Sequence, residues 1–191
     1  MSIAERLLIA RLKERDEHAF GEIVQLYGDK VFSLIYRMIG NRQEAEDIAQ
    51  EVFITVFKTI DGFRGEAKFS TWLLRVAANH CKNQIKYLAR RPSEGAEVDE
   101  LPQQGNGPAL PMQAHIDPPD VLAEAAELEV LMQEAIAELD PEHRLLVVLR
   151  DVEELSYQEI SEITTLPEGT IKSRLHRARM AIKEYLDKKT R

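Results

Sequence analysis

The stretch LPEGTIKSRLHRAR, residues 166–179, is strongly basic in a protein whose formal net charge is −8. Its apolar residues Ile171, Leu175 and Ala178, together with Ile182, recur at spacings of four, three and four residues. This spacing predicts a helix with one buried face. Basic and hydroxyl side chains occupy the other face, so we predict an amphipathic helix that presents cations to the solvent.

A shorter helix is predicted immediately before the basic one. Ser156 and Glu159 have the three-residue spacing of a capping box, which opens the segment YQEISEIT. A break at 165–167 separates the two helices, and such a pair, with the second helix basic, is the helix-turn-helix arrangement. Its exposed side chains can bond to phosphates and base edges in a major groove. A generic helical hairpin is the alternative. The predicted DNA contacts are Thr170, Lys172, Ser173, Arg174, His176 and Arg177.

The remaining sequence predicts an all-α protein of two small helical domains. Helical periodicity covers the first ninety residues and returns near residue 121, and no strand pattern of any length competes with it. Between them, residues 92–119 hold six of the eight prolines and little apolar periodicity. We therefore predict domains at 1–91 and 120–187, joined by a flexible acidic linker at 92–119.

The charges are segregated along the chain. Residues 67–91 hold six lysines and arginines and no acid, residues 169–183 hold five and no acid, and residues 92–142 hold thirteen acids and no lysine or arginine. A basic patch on one element indicates a polyanionic partner better than the whole-chain charge does. The alternative is that each run is merely a solvated helix face.

The helix-turn-helix segment resembles a known family. LSYQEISEITTLPEGTIKSRLHRARMAIKEYL is similar to the C-terminal domain of bacterial sigma factors of the extracytoplasmic-function (ECF) group, in which this helix reads the upstream, minus-thirty-five promoter element. EAEDIAQEVFITVFK and then FRGEAKFSTWLLRVAANHCKNQIK resemble the first domain of the same family. The resemblance covers nearly all of both domains but not the linker. It implies a sigma factor that binds core RNA polymerase and directs promoter-specific initiation.

The resemblance also implies roles for individual residues. Carboxylates beside an apolar side chain suit a basic helical partner, here a coiled coil of the polymerase clamp, and an ordinary acidic face is the alternative. The implied polymerase contacts are Asp47, Gln50, Glu51 and Phe53. Cations, amides and aromatic rings suit a melted downstream, minus-ten element, although Trp72 is predicted to be core and Phe69 is open between the two roles. The implied downstream contacts are Phe63, Arg64, Lys68, Phe69, Arg75, Asn79, Lys82, Asn83 and Lys86.

Other classes of function find no support in the sequence. The five histidines and Cys81 lack metal-ligand spacing, and no catalytic motif occurs, so we expect no metal, no cofactor and no enzyme activity. A single cysteine and the lack of any signal peptide or membrane span suit a cytoplasmic protein. The resemblance implies further partners: the polymerase flap and an anti-sigma factor, under stress- or envelope-responsive control. A stand-alone DNA-binding regulator and a helical scaffold are the alternatives.

Overall fold

The computed structural model describes residues 2–90 and 130–189, and both stretches are helical apart from short turns, with no strand in either. This confirms the all-α prediction, while the predicted linker at 92–119 and the domain boundaries beside it lie outside the described residues. The first stretch contains α1 (Ile3–Lys13), α2 (Glu17–Ile39), α3 (Arg42–Thr59), a 3₁₀ turn (Ile60–Gly62) and α4 (Phe69–Arg90). The second contains α5, described over 130–137, then α6 (Pro141–Val147), a π-helical turn (Val148–Val152), α7 (Tyr157–Thr164) and α8 (Glu168–Lys189).

Side-chain caps fix where several helices begin. The predicted capping box at α7 is confirmed: the Ser156 hydroxyl accepts from the Glu159 amide at 3.2 Å, and a Glu159 carboxylate oxygen accepts from the Ser156 amide at 2.9 Å. At α6 the Asp140 carboxylate accepts from the Glu142 and His143 amides, and Pro141 occupies the first helical position, where its missing amide hydrogen costs nothing. Ser70 lies in the first turn of α4, because that helix begins at Phe69.

The N-terminal half is a bundle in which α2 packs against α3 and α4. Its core holds Ile23, Val52, Phe53, Leu74 and Cys81, each at most 2% exposed. One apolar stripe of α3 is therefore buried, and the opposite faces of α3 and α4 remain available to partners.

Burial makes the Cys81 thiol unreactive. It raises the pKa of Cys81 to about 12, because an apolar environment disfavours the thiolate. At pH 8 we expect the folded protein to react with Ellman's reagent about 1,000-fold more slowly than the chain in guanidinium chloride, following the thiolate fractions. Rapid, stoichiometric labelling of the native protein would contradict this packing.

The two halves pack against each other, which the sequence did not predict. Helix α4 contacts α7, and α2 contacts α6, so that the buried side chains of both halves form one cluster. Polar contacts lie along the same boundary. Arg144 of α6 donates to the Met38 carbonyl at 2.6 Å, and the Lys68 ammonium lies 2.7 Å from a carboxylate oxygen of Glu159.

Candidate nucleic-acid interface

Helix α8 separates its residues into an apolar and a basic face as predicted. Its buried residues are Ile171, Leu175, Ala178 and Ile182. The predicted DNA contacts all retain solvent access: Lys172, Ser173, His176 and Arg177 are exposed, and Thr170 and Arg174 are half-buried. The described geometry therefore leaves a continuous polar surface on the N-terminal half of α8.

The turn between α7 and α8 is short and held by side chains. Thr165 adopts a left-handed conformation, with φ of 62°, and its amide donates to the Ser161 carbonyl at 2.8 Å. The Ser161 hydroxyl donates to the Leu166 carbonyl at 2.7 Å. These bonds satisfy backbone groups that the end of α7 would otherwise leave unpaired. They fix the direction in which α8 leaves the turn.

Acidic and aromatic side chains of the same half hold the cations of α8 in place. Glu142 of α6 accepts a hydrogen bond from the Arg174 guanidinium, and Lys172 lies 5.0 Å from the centroid of the Tyr157 ring. Asp151 binds Arg179 through two oxygens, at 3.1 and 2.5 Å, and this raises the pKa of Arg179. Reasoning from sequence missed these partners because they lie far from α8 along the chain.

Helix α4 presents a second polar stripe. Arg75, Asn79, Asn83 and Lys86 are exposed and recur at spacings of four, four and three residues, so they lie along one face. Lys82 is half-buried beside this stripe. Arg64 and Lys68 are exposed on the loop before α4. The stripe and the loop cations are contiguous in the chain and form a candidate surface for a second nucleic-acid segment.

The aromatic rings of that loop are buried, which corrects the predicted DNA contact of Phe63 and favours the core role that was left open for Phe69. Phe63 is 4% exposed and Phe69 0%. Their rings meet edge to face at 5.5 Å, and Tyr27 adds a further edge contact to Phe69 at 5.4 Å. Trp72 was predicted to be core, and it packs against both rings while remaining half-buried. Burying these rings is favoured over exposing them to DNA because each buried ring removes a large apolar area from water.

The acidic face of α3 shows a comparable correction. Asp47 and Glu51 are exposed and Gln50 is half-buried, but Phe53 is 2% exposed and belongs to the core. The apolar side chain that accompanies the carboxylates is Ile54, which is 50% exposed. Residues 47, 50, 51 and 54 share one helix face, so the i, i+3, i+4, i+7 pattern contained the signal that identifies Ile54.

One contact joins the loop before α4 to the helix-turn-helix. The Lys68 ammonium donates to Glu159 at 2.7 Å, where Glu159 also completes the capping box of α7. The hydrogen bond from Lys68 is the main reason that the pKa of Glu159 falls to about 2. A carboxylate with so low a pKa stays ionised at neutral pH, and the contribution of this pair is lost only when the pH falls below about 4.5 towards 2.

Within residues 2–90 and 130–189, no group of three or more His, Cys, Asp or Glu side chains is placed to hold a metal ion. In the same stretches, no helix combines the length and the apolar character that a bilayer crossing requires.

Comparison with known proteins gives the same picture for both halves. Residues 23–91 match the family model for sigma-70 region 2, and residues 129–182 match that for sigma-70 region 4. The chain is 40% identical to the ECF RNA polymerase sigma factor SigW of Bacillus subtilis, over 93% of this chain and 94% of that protein. It is 35% identical to the ECF RNA polymerase sigma-E factor of Escherichia coli K12, over 94% of this chain and 93% of that protein.

Solved structures with similar folds include CnrH in complex with the cytosolic domain of CnrY, with a TM-score of 0.67, 22% identity and coverage of 96% of this chain and 97% of that one. The sigma factor RpoE in complex with the anti-sigma factor NepR from Bartonella quintana has a TM-score of 0.65 and 20% identity, and the match covers 88% of this chain and 96% of that one. The curated relatives match nearly the full length of the chain, and the two family models match its two halves in order. The chain belongs to the ECF family of RNA polymerase sigma factors.

Proposed function

We propose that the two halves of this sigma factor divide promoter recognition between them. Residues 1–91 bind core polymerase and open and read the downstream element, residues 120–187 read the upstream element, and 92–119 tether the two. The observation that carries this proposal is the presence of separate exposed cationic faces on α4 and α8. The protein supplies no chemistry of its own, since phosphodiester synthesis belongs to the polymerase, and it acts in the cytoplasm.

Helix α8 enters the major groove of the upstream element. Lys172, Arg174 and Arg177 supply cations for phosphates or guanine edges, and Thr170, Ser173 and His176 supply further hydrogen-bonding groups. The pairing of Arg174 with Glu142 supports this role. A guanidinium already held in one direction loses less side-chain entropy when it meets DNA.

The loop before α4 and the exposed stripe of α4 bind the melted downstream element. Arg64 and Lys68 neutralise the backbone, Asn79 and Asn83 bond to base edges, and Arg75, Lys82 and Lys86 follow the phosphates along the helix. The buried rings of Phe63 and Phe69 support the loop rather than touching bases.

The acidic face of α3 binds the polymerase clamp. Asp47, Gln50 and Glu51 supply the polar contacts, and the exposed Ile54 takes the part of apolar anchor that the sequence assigned to Phe53. A central apolar side chain ringed by carboxylates suits a basic helical partner.

Promoter binding requires the two halves to separate. The minus-ten and minus-thirty-five elements are centred about 25 base pairs apart, roughly 85 Å of B-form DNA. Helices α4 and α8, with 22 residues each, are about 33 Å long. The bond between Lys68 and Glu159 ties the two readers together at one point. Residues 92–119 tether the halves in this proposal, and a chain of that length can reach roughly 95 Å when fully extended.

An anti-sigma factor fits this picture as the partner that keeps the halves together. The fold resembles that of a sigma factor solved in complex with an anti-sigma factor. A partner that contacts both halves at once binds the packed arrangement more tightly than the separated one, and it therefore stabilises the packed arrangement.

Run-off transcription with bacterial core RNA polymerase tests the proposed function. On a pool of promoter fragments, we expect transcripts that depend on this protein and start at a fixed distance downstream of a shared two-part motif. Glu51→Lys and Ile54→Glu should abolish them by preventing assembly with the polymerase, while the exposed Lys188→Ala should not. Specific duplex binding by the protein alone, without any polymerase-dependent transcript, would identify a stand-alone regulator instead.

A further inference from the structure

The turn between α1 and α2 reaches across the bundle to the segment that leads into the downstream-element loop. The Lys13 ammonium donates to the Phe63 carbonyl at 2.8 Å. The Arg15 guanidinium donates to an Asp61 carboxylate oxygen at 2.5 Å and also to the Phe57 carbonyl. It further lies over the Phe57 ring, 5.4 Å from the centroid. Lys13, the last residue of α1, and Arg15, in the turn that follows it, thus hold both ends of the 57–63 segment.

The backbone of Arg15 shows that this contact has a cost. Arg15 has φ of 64°, in the left-handed region that disfavours residues with a Cβ atom. Glycine is the default residue for such a position. A strained residue persists where the surrounding structure requires it, and such strain is common at functional sites. The guanidinium, with its three contacts, is the part of Arg15 that glycine could not replace.

The segment held by this turn determines where the loop cations lie. Asp61 belongs to the 3₁₀ turn, and Phe63 follows it with its ring buried against Phe69. Arg64 comes directly after Phe63 and is exposed. Because Lys13 binds the carbonyl group of Phe63, it fixes the peptide unit that leads into Arg64. A displaced turn would therefore move the Arg64 cation relative to α4.

We propose that Lys13 and Arg15 are positioning residues for the downstream-element loop, and that they act through Phe63 and Asp61 without touching DNA. This inference rests on the proposed role of the loop in binding the melted downstream strand. A preorganised loop loses less conformational entropy on binding and holds its contacts in one register. The specificity for the correct strand, more than general affinity for DNA, should depend on the turn.

Asp61→Asn gives the sharpest test because simple electrostatics and the positioning role predict opposite changes in the affinity for DNA. The substitution removes one negative charge from a side chain that is 64% exposed. Simple electrostatics predicts that the more positive protein binds DNA more tightly. The positioning role predicts weaker binding of the correct strand, by about threefold, since Arg15 loses a charged partner and keeps only a neutral amide acceptor.

Arg15→Gly provides the second variant. It relieves the backbone strain and removes the guanidinium, so the turn keeps its conformation while the 57–63 segment loses three contacts. We expect binding of the correct strand to weaken by about tenfold. Lys13→Met should act in the same direction, and Lys13→Arg should restore binding because it keeps a cationic donor.

The experiment uses the protein assembled with core polymerase and two fluorescent single-stranded oligonucleotides. One carries the downstream box mapped by run-off transcription, and the other has the same composition in scrambled order. Anisotropy titrations at several salt concentrations give two quantities. The first is the affinity ratio, which is the affinity for the downstream box divided by that for the scrambled oligonucleotide. The second is the salt slope, which is the dependence of the affinity on salt concentration. The expected result is a lower ratio in Asp61→Asn and Arg15→Gly, with unchanged salt slopes and unchanged affinity for an upstream duplex.

Three outcomes would overturn the proposal. Tighter binding by Asp61→Asn would indicate electrostatics alone. A salt slope that falls by about 0.7 in Arg15→Gly would indicate direct contact with a phosphate. Wild-type ratios in all the variants would indicate a turn with a purely structural role. If the wild-type complex does not distinguish the two oligonucleotides, the proposed function of the loop is itself wrong, and the positioning role fails with it.

Discussion

Replacing Arg144 by Met is expected to lower the free energy of unfolding by about 3 kcal/mol, one of the two largest effects we predict for a single side chain. The Arg144 guanidinium donates to the Met38 carbonyl at 2.6 Å and the Leu139 carbonyl at 3.1 Å, and it also binds the Ala137 carbonyl. These acceptors lie at the C-terminal ends of α2 and α5, where a cation is favoured by the helix dipole. Methionine keeps much of the side-chain volume but leaves the carbonyls without a donor.

Urea unfolding at pH 7, followed by circular dichroism, measures this effect, and Arg6→Met is the matched control. Arg6 is exposed on α1, so its replacement should change the stability by less than about 0.5 kcal/mol. Because Arg144 connects the two halves, its loss should also broaden the transition or split it into two. Equal stabilities for the two variants would show that the contact between α2 and α6 contributes little in solution.

Local pattern was sufficient to predict most of the helices. In α8 the apolar residues at 171, 175, 178 and 182 form a single stripe, so only that face of the helix can be buried. In the structure this face is buried, and α8 packs against α6 and α7. The capping box of α7 is a contact between residues three apart, so the sequence contains all of it. Features of this kind depend on neighbours along the chain and are therefore visible in the sequence.

The packing of the two halves was not predictable in this way. Lys68 and Glu159 are 91 residues apart, and no periodicity links them. Each also has a complete local explanation, Lys68 as a loop cation and Glu159 as part of a capping box. The same holds for Arg174 and Glu142, 32 residues apart, whose pairing depends on how α6 lies against α8. Long-range contacts of this kind need the tertiary arrangement.

The sequence failed for a different reason at the aromatic residues, where Phe63 was assigned to DNA contact and Phe69 was left open. Phe63 and Phe69 lie at a loop and a helix start, where sequence gives no face to choose between display and burial. The ring centroids of Phe63, Phe69 and Trp72 lie within 6 Å of one another. Packing the rings together removes their apolar surface from water, and this favours burial over exposure to DNA. On α3 the helical phase did contain the answer, since Ile54 lies outside the buried stripe and Phe53 within it.

The other large effect is expected at the DNA-facing side of α8. Arg177→Ala should weaken binding of the upstream element by at least about tenfold, the range typical of one arginine contact to DNA. Arg177 is exposed, and its guanidinium donates to the Ser173 carbonyl at 3.4 Å, a long bond within the same helix. Little has to be broken before it can reach a base or a phosphate, so most of its interaction with DNA should appear in the affinity.

Lys188→Ala is the control because it removes the same charge from the last turn of the same helix, eleven residues away. Affinity is measured by fluorescence anisotropy with the polymerase-bound protein and an upstream duplex, across a series of salt concentrations and single base changes. If Arg177 contacts a phosphate, the loss is uniform across sequences and the salt slope falls by about one. If it reads a base, the loss is confined to duplexes that carry that base, since the altered duplexes already lack the contact. Equal losses in Arg177→Ala and Lys188→Ala would mean that the net charge of α8, rather than the orientation of its polar face, governs binding, and the assignment of the recognition surface would then be wrong.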